Sequence, residues 1–132
     1  MDPRSEPMKA RANELSHEII GAAMEVHRFL GPGMLESAYQ ECLERELELR
    51  GIPFVPQLPV KLDYKGRVVE CAYKLDFLVD DLLVVEIKSV ASLMPVHEAQ
   101  LSTYLRFTDR WLGLLINFNV CLLKDAIKRR VN

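Results

Sequence analysis

Residues 75–89, LDFLVDDLLVVEIKS, decide how this chain folds. The stretch is apolar enough to form two buried strands, yet it carries Asp76, Glu86 and Lys88. Because the side chains of a strand alternate between the two faces of a sheet, Glu86 and Lys88 project from one face together with Val84. Charges on a buried strand need an explanation, since an unpaired buried charge is costly.

The turn between the two strands determines whether Asp76 lies beside Glu86. A shift of one residue in the register moves every side chain of a strand to the opposite face. A two-residue loop would place Asp76 opposite Val85, whereas a three-residue loop at residues 80–82 would place it opposite Glu86. Both lengths occur in hairpins, and no Asn-Gly or Asp-Gly dipeptide favours the shorter one. The residues alone leave both registers open.

In the three-residue register, two opposed carboxylates would repel each other and would be costly to desolvate unless a cation lay between them. Oxygen ligands suit Mg²⁺ or Mn²⁺, and the remaining positions would be left for water, a backbone carbonyl and a substrate phosphate. Lys88 could then orient a water molecule or stabilise charge on phosphorus. The alternative is an ordinary ion pair between Glu86 and Lys88 at a strand end, which would contribute little to stability.

Two helices are predicted before these strands. Apolar residues recur at helical spacing from Asn13, a plausible N-cap, to Gly31, and a second helix follows the GPG sequence and ends at Gly51. The first residues are polar and charged. We therefore expect residues 1–12 to form a disordered tail and residues 13–132 to form a single domain.

After the second helix, the pattern predicts an antiparallel meander of three strands, then a helix and a fourth strand, at residues 54–64, 67–79, 82–90, 95–109 and 111–120. The basic segment at residues 123–131 predicts a short helix or a tail. The expected fold class is α/β (α+β), with a mixed sheet flanked by helices and the order α-α-β-β-β-α-β.

The composition limits the function classes. The chain has 132 residues and a net charge of −2, so its overall charge does not indicate nucleic-acid binding. Basic residues do cluster around the predicted hairpin at residues 61–74 and near the end of the chain, although a solvated surface explains both clusters equally well. No apolar run approaches the length of a membrane span, and no signal peptide precedes residue 13, so we expect a cytoplasmic protein.

Two predicted helices carry further polar side chains. Glu36 and Tyr39 lie three residues apart at the start of the second helix, where the helix dipole alone would favour an acid. His97, Gln100 and Tyr104 form a polar stripe on the third helix. A solvated face also explains this stripe, and a lone histidine is more often structural than catalytic.

Gly33, Glu36 and Tyr39 spell G-x-x-E-x-x-Y. Together with the stretches EVHRFLGPG, YKLDFLV, VVEIKSV, HEAQLSTYL and GLLINF, they make the chain resemble the GxxExxY protein family of the PD-(D/E)XK nuclease superfamily over residues 15–130. The resemblance implies a restriction-endonuclease-like α-β-β-β-α-β core with one helix added in front. Asp76 follows Leu75 instead of the proline common in this superfamily, a difference that removes a rigid backbone element but no ligand.

The resemblance implies that Asp76 and Glu86 are metal-binding acids, that Lys88 is the catalytic lysine, and that Glu36 completes the shell of a Mg²⁺ or Mn²⁺ ion. The backbone carbonyl of Ile87 is expected to be a further ligand. Each of these positions carries the residue type that the family's pattern requires, so the sequence shows no sign of an inactivated site.

Gln100 and Tyr104 resemble a helix motif that contacts the substrate or the lysine, and Tyr39 and His97 are expected to bind substrate or to support the site. The expected function is a metal-dependent nuclease acting on nucleic acid, on DNA rather than RNA. The alternative is a non-catalytic module that retains the fold and binds nucleic acid or a protein, including as an accessory subunit that docks through its basic end. A homodimer is compatible with either.

Overall fold

The structure, a computed structural model, describes residues 2–132, except for the side chains of Cys71 and Ala72. Its elements are α1 (Glu6–Leu30), α2 (Glu36–Leu49), β1 (Phe54–Tyr64), β2 (Arg67–Val79), β3 (Leu83–Lys88), α3 (Pro95–Thr108), β4 (Leu112–Asn117) and β5 (Ile127–Val131). The strands of this described part form one mixed sheet in the order β1-β2-β3-β4-β5. Strands β3 and β4 are parallel, and the other neighbours are antiparallel. The predicted mixed sheet with flanking helices is confirmed.

The sheet separates two apolar clusters, and the central strand β3 contributes to both. Leu83, Val85 and Ile87 pack in the larger cluster with α1 and α2, whereas Val84 packs in the smaller cluster with α3. This alternation is the one expected for a strand buried on both faces. Glu86 and Lys88 therefore lie on the α3 side of the sheet.

Helix α1 begins earlier than the sequence predicts. It starts at Glu6, so residues 6–12, expected to be a disordered tail, are helical. Pro7 lies in the first turn, where its missing N–H costs little, and Ala12 is buried. Just before the helix, Arg4 hydrogen-bonds the carbonyl of Asn132 and pairs with Asp109. These contacts join segments that are distant in sequence, which is why local polarity gave the wrong expectation.

The basic end of the chain is a strand instead of the predicted helix or tail. A short 3₁₀ helix, Leu123–Ala126, buries its two terminal side chains, and β5 then pairs antiparallel with β4. Arg129 donates to Asn13, and Arg130 pairs with Glu98. The arginines that could have formed a free docking tail are thus held against the protein.

Cysteine environments differ along the chain. Cys42 is half-buried in α2 and Cys121 is exposed after β4, whereas the side chain of Cys71 lies outside the described residues.

In the part of the chain that the structure covers, no helix is both long and apolar enough to cross a membrane.

Gly113 marks the closest approach of α3 to the sheet. A Cβ atom at this position would lie 2.7 Å from Leu101 Cδ1 and 3.2 Å from Leu105 Cδ2, and both leucines are fully buried. We expect Gly113→Ala to lower the free energy of unfolding by about 1–3 kcal/mol, because the added methyl overpacks this contact. Urea denaturation would measure the loss.

A double-mutant cycle separates crowding from a general effect of alanine in β4. Leu101→Ala should cost less stability in the Gly113→Ala background than alone, because the smaller side chain makes room for the methyl. Additive losses would show that the two positions do not crowd each other.

Candidate functional site

The turn between β2 and β3 places Asp76 opposite Glu86. Val79 pairs with Leu83, so residues 80–82 form a three-residue loop. Phe77 pairs with Val85, and the next opposed positions are those of the two acids. Of the two registers that the residues left open, the structure has the one that brings the carboxylates together.

Distant cations hold this loop in shape. Asp80 and Asp81 both have positive φ angles, 48° and 58°, which aspartate tolerates better than most residues do. Arg11 of α1 pairs with Asp80, and Arg110, just before β4, pairs with Asp81. These pairs join the loop to segments that are distant in sequence, so no local pattern contains them.

Strands β2 and β3 separate at the two acids. Regular pairing ends at Phe77, and beyond it the carboxylates take over the hydrogen bonding: Asp76 N–H donates to Glu86 Oε1 at 2.9 Å, and Ile87 N–H donates to Asp76 Oδ2 at 2.8 Å. Because the N–H and C=O groups of one strand residue point to the same neighbouring strand, the Ile87 carbonyl also faces β2. Two carboxylates and one carbonyl therefore lie around the gap.

Asp76 is held from three sides. Besides its bond to β3, its carbonyl accepts from Gln40 Nε2 of α2 at 3.2 Å, and Gln57 Nε2 of β1 lies 3.4 Å from its Oδ1. Gln57 has a φ of 49°, an irregularity directly across from the acid. Leu75 and Leu78, three residues apart, both pack in the cluster under α3, so the alternation of β2 is broken between them. The acid thus lies at a local distortion of the strand.

Glu86 is buried, with 5% of its surface exposed. Burial, and next the charge of Asp76, raise the pKa of Glu86 to about 9, whereas Lys88 lowers it. At neutral pH and without a cation, the buried acid therefore keeps a proton beside Asp76.

Glu36, the first residue of α2, approaches the same cluster from the other face of the sheet. Desolvation raises its pKa, Asp76 raises it further, and Lys88 lowers it. Glu36 therefore lies within electrostatic reach of both residues. An acid on the α2 side of the sheet and a lysine on the α3 side thus influence each other without forming an ion pair.

Tyr39 and His97 support the helices that border the site. Tyr39 is buried, donates to the Gly31 carbonyl at 2.6 Å and accepts from Met34 N–H at 3.2 Å, which fixes the turn before Glu36. His97 Nδ1 accepts from the N–H of Met94 at 2.9 Å and caps α3. Of the two roles that the sequence left open for them, these contacts favour support.

Tyr104 of α3 faces the acids together with Tyr73, which the sequence analysis did not select. The two rings stack with centroids 4.1 Å apart. Burial, and then the charges of Glu86 and Asp76, raise the pKa of Tyr104 to about 12, so its hydroxyl stays protonated. The only sequence signal for Tyr73 was its place three residues before Asp76. Gln100 lies exposed one turn before Tyr104.

The donor set fits a hard divalent cation. It consists of oxygen atoms, and the closely opposed carboxylates of Asp76 and Glu86 leave negative charge that a cation would neutralise. Among the described side chains, no group of three or more His, Cys, Asp or Glu is arranged to hold a metal alone. Asp76, Glu86 and Glu36 therefore do not form a complete ligand set in this structure, and a bound ion would also need the Ile87 carbonyl, water or a substrate phosphate.

The raised pKa predicts how stability depends on pH. Folded Glu86 has a pKa of about 9 against an ordinary value of 4.5, so the folded state binds a proton that the unfolded state has lost. In EDTA, wild-type stability should fall relative to Glu86→Gln as pH rises from 5 to 8, by up to about 1.4 kcal/mol per unit. Urea denaturation across this range would measure the difference.

Glu48→Gln is the matched control, since Glu48 is an exposed acid of α2 that does not line the cavity at Asp76. Its stability difference from wild type should stay nearly constant over the same range. A difference that is equally flat for Glu86→Gln would contradict the buried, protonated state of Glu86.

Comparison with known proteins identifies the family. The model of a family described as the PD-(D/E)XK nuclease superfamily matches residues 13–130. No curated protein matches the chain. A solved structure, the crystal structure of SSO0001, is similar at 20% sequence identity with a TM-score of 0.48; the match covers 91% of this chain and 60% of that one. Since the family match spans most of its length, the chain belongs to the PD-(D/E)XK nuclease superfamily.

Proposed function

We propose that this protein is a divalent-metal-dependent nuclease that hydrolyses phosphodiester bonds in DNA, and that it belongs to the GxxExxY branch of its superfamily. The observation that carries the proposal is the pair of opposed carboxylates, Asp76 and Glu86, at the point where β2 and β3 separate. Superfamily membership supports a nuclease-like activity. The motif formed by Gly33, Glu36 and Tyr39 supports the branch.

The cation would be held by Asp76, Glu86, the Ile87 carbonyl and Glu36. Bound there, Mg²⁺ or Mn²⁺ would supply Lewis-acid stabilisation of the charge that develops on the phosphate. The chain contributes the arrangement of these ligands, because hydrogen bonds from the backbone of β2 and β3 fix both strand carboxylates before any ion binds.

Lys88 would supply the positive charge at the reacting phosphate. It is half-buried and close enough to Glu36 and Glu86 to lower the pKa of both. Within the described residues, no carboxylate oxygen lies within 4.0 Å of its ammonium, so the simple ion pair with Glu86 is not formed. The ammonium is thus able to orient a water molecule or to contact the phosphate.

Tyr104 and Gln100 would contact the substrate from α3. The Tyr104 hydroxyl is a donor at any physiological pH, since its pKa is about 12. Its stacking on Tyr73 fixes the ring beside the acids. Gln100 is exposed one helical turn away, where its amide could meet a neighbouring phosphate or base.

Calorimetric titration of Mn²⁺ tests the metal site. Wild type should bind the ion, and Glu86→Gln should lose at least about tenfold in affinity, because an isosteric amide removes the charge. Since Glu86 keeps a proton in the ion-free protein, binding should release a proton and tighten between pH 6 and 8. Glu48→Gln, outside the cavity at Asp76, should bind as wild type does. Equal affinities in wild type and Glu86→Gln would contradict the ligand assignment.

Cleavage of a labelled DNA duplex with Mg²⁺ or Mn²⁺ tests the activity. Asp76→Asn and Lys88→Met should each lower the rate by about 10²-fold or more while unfolding as cooperatively as wild type. Tyr104→Phe keeps the stack and should cost less, about tenfold. Undiminished cleavage by Asp76→Asn would overturn the mechanism. Metal binding without cleavage by wild type would favour the non-catalytic nucleic-acid- or protein-binding module instead.

A further inference from the structure

The β1–β2 hairpin extends beyond the rest of the sheet. Strand β2 pairs with β3 only at residues 77–79, whereas its pairing with β1 continues to the turn at residues 65–66. The far part of this hairpin, residues 61–70, is here called the β1–β2 arm. Except for the half-buried Leu62, all its residues are exposed. A two-stranded ribbon thus projects from the domain with neither edge covered by another strand.

The hairpin carries a charge opposite to that of the remaining chain. Residues 54–79, the two strands with their turn, contain four Lys or Arg and three Asp or Glu, and the arm alone contains three and two, so each has a net charge of +1 in a chain whose total is −2. Within the arm, Lys61 lies 3.5 Å from Glu70 and pairs with it. Lys65 and Arg67 remain at the tip, where the Lys65 ammonium lies 5.3 Å from the ring centre of Tyr64. The tip therefore combines two cations with an exposed aromatic ring.

The pairing register shows which face of the arm is on the side of the candidate site. Tyr64 lies opposite Arg67, Leu62 opposite Val69, and Val60 opposite Tyr73. Val60, Leu62 and Tyr64 share one face because they alternate along β1, and the partner of each lies on the same face; the register shifts between Val60 and Leu62, where β2 has extra residues. At its inner end this face carries Tyr73, which stacks on Tyr104 beside the acids. A molecule lying along this face would extend from the arm tip to the acid cluster.

The length of the arm sets the size of its ligand. Arg67 lies opposite Tyr64 and Asp76 lies across from Gln57, seven residues apart on β1, which corresponds to about 23 Å of strand at roughly 3.3 Å per residue. B-DNA rises about 3.4 Å per base pair, so this distance spans about seven base pairs. The major groove of B-DNA admits a two-stranded ribbon, whereas the deep, narrow major groove of A-form RNA does not.

We infer that the β1–β2 arm binds the major groove of a DNA duplex about seven base pairs from the phosphate at the acid cluster. The inference rests on the proposed nuclease function, for which it names the substrate as double-stranded DNA. Lys65 and Arg67 contact backbone phosphates, and Tyr64 packs against the groove. Pairing with a second protein copy is less favourable, because Pro56 and Pro59 interrupt the outer edge of β1 and Lys61 places a charge on that strand.

Fluorescence anisotropy in EDTA tests the arm without requiring cleavage. Wild type should bind a 24-base-pair DNA duplex more tightly than a hairpin with a 6-base-pair stem, which is too short to reach from the acid cluster to the tip of the arm. The Lys65→Ala/Arg67→Ala variant should lose at least about tenfold in affinity for the long duplex. The slope of log affinity against log salt concentration should become shallower by about two, because two phosphate contacts are removed. The matched control is Lys124→Ala/Lys128→Ala, which removes two exposed cations in and just before β5, the strand at the opposite edge of the sheet, and should bind the long duplex as wild type does.

Four outcomes would overturn the inference: undiminished binding by the arm variant, an equal loss in the control, an equal loss on single-stranded DNA or on an RNA duplex, or a wild-type dimer that the arm variant abolishes. The assay is independent of the proposed activity. If wild type cleaves nothing but shows arm-dependent duplex binding, the nuclease proposal fails and the arm assignment stands. If wild type cleaves DNA and the arm variant binds normally, the arm assignment alone fails.

Discussion

The reciprocal hydrogen bonds of Asp76 and Glu86 are the constraint on which the rest of the site depends. In an ordinary hairpin, backbone groups would continue the ladder between β2 and β3. Here each carboxylate accepts a backbone N–H from β2 or β3, and the strands separate while their donors stay satisfied. The resulting gap gives Glu36, below the sheet, and Lys88, above it, access to one place.

The surroundings of the gap explain why so polar an opening is stable. Gln40 and Gln57 hold Asp76 from α2 and β1, and the fully buried residues of β3 anchor the neighbouring strand in both apolar clusters. The remaining free-energy cost is that of ionising Glu86, because burial and the neighbouring charge of Asp76 both favour its protonated form. Catalytic sites often combine such raised pKa values with a rigid framework.

The sequence predicted the parts of this protein that depend on periodicity. The helices, the strand order through β4 and the shared face of Glu86 and Lys88 follow from the spacing of apolar residues. The loop register did not, because both loop lengths fit the local pattern and the loop's partners Arg11 and Arg110 are distant in sequence. The early start of α1 and the final strand β5 were missed for the same reason, since tertiary contacts outweigh local polarity there. Tyr73 looked like an ordinary strand residue until its ring was found against Tyr104.

The contact between Arg4 and the carbonyl of Asn132 places the beginning of α1 beside the end of β5. A short linker between these positions would close the chain into a ring without moving either element, and the exposed turn at Lys65 and Gly66 offers a place to open it again. In such a permuted chain β1 and β2 would become the terminal strands. The acid hairpin would then lie near the start of the polypeptide. Arg110 would still follow Asp81 at the same separation, whereas Arg11 would come after Asp80 instead of before it.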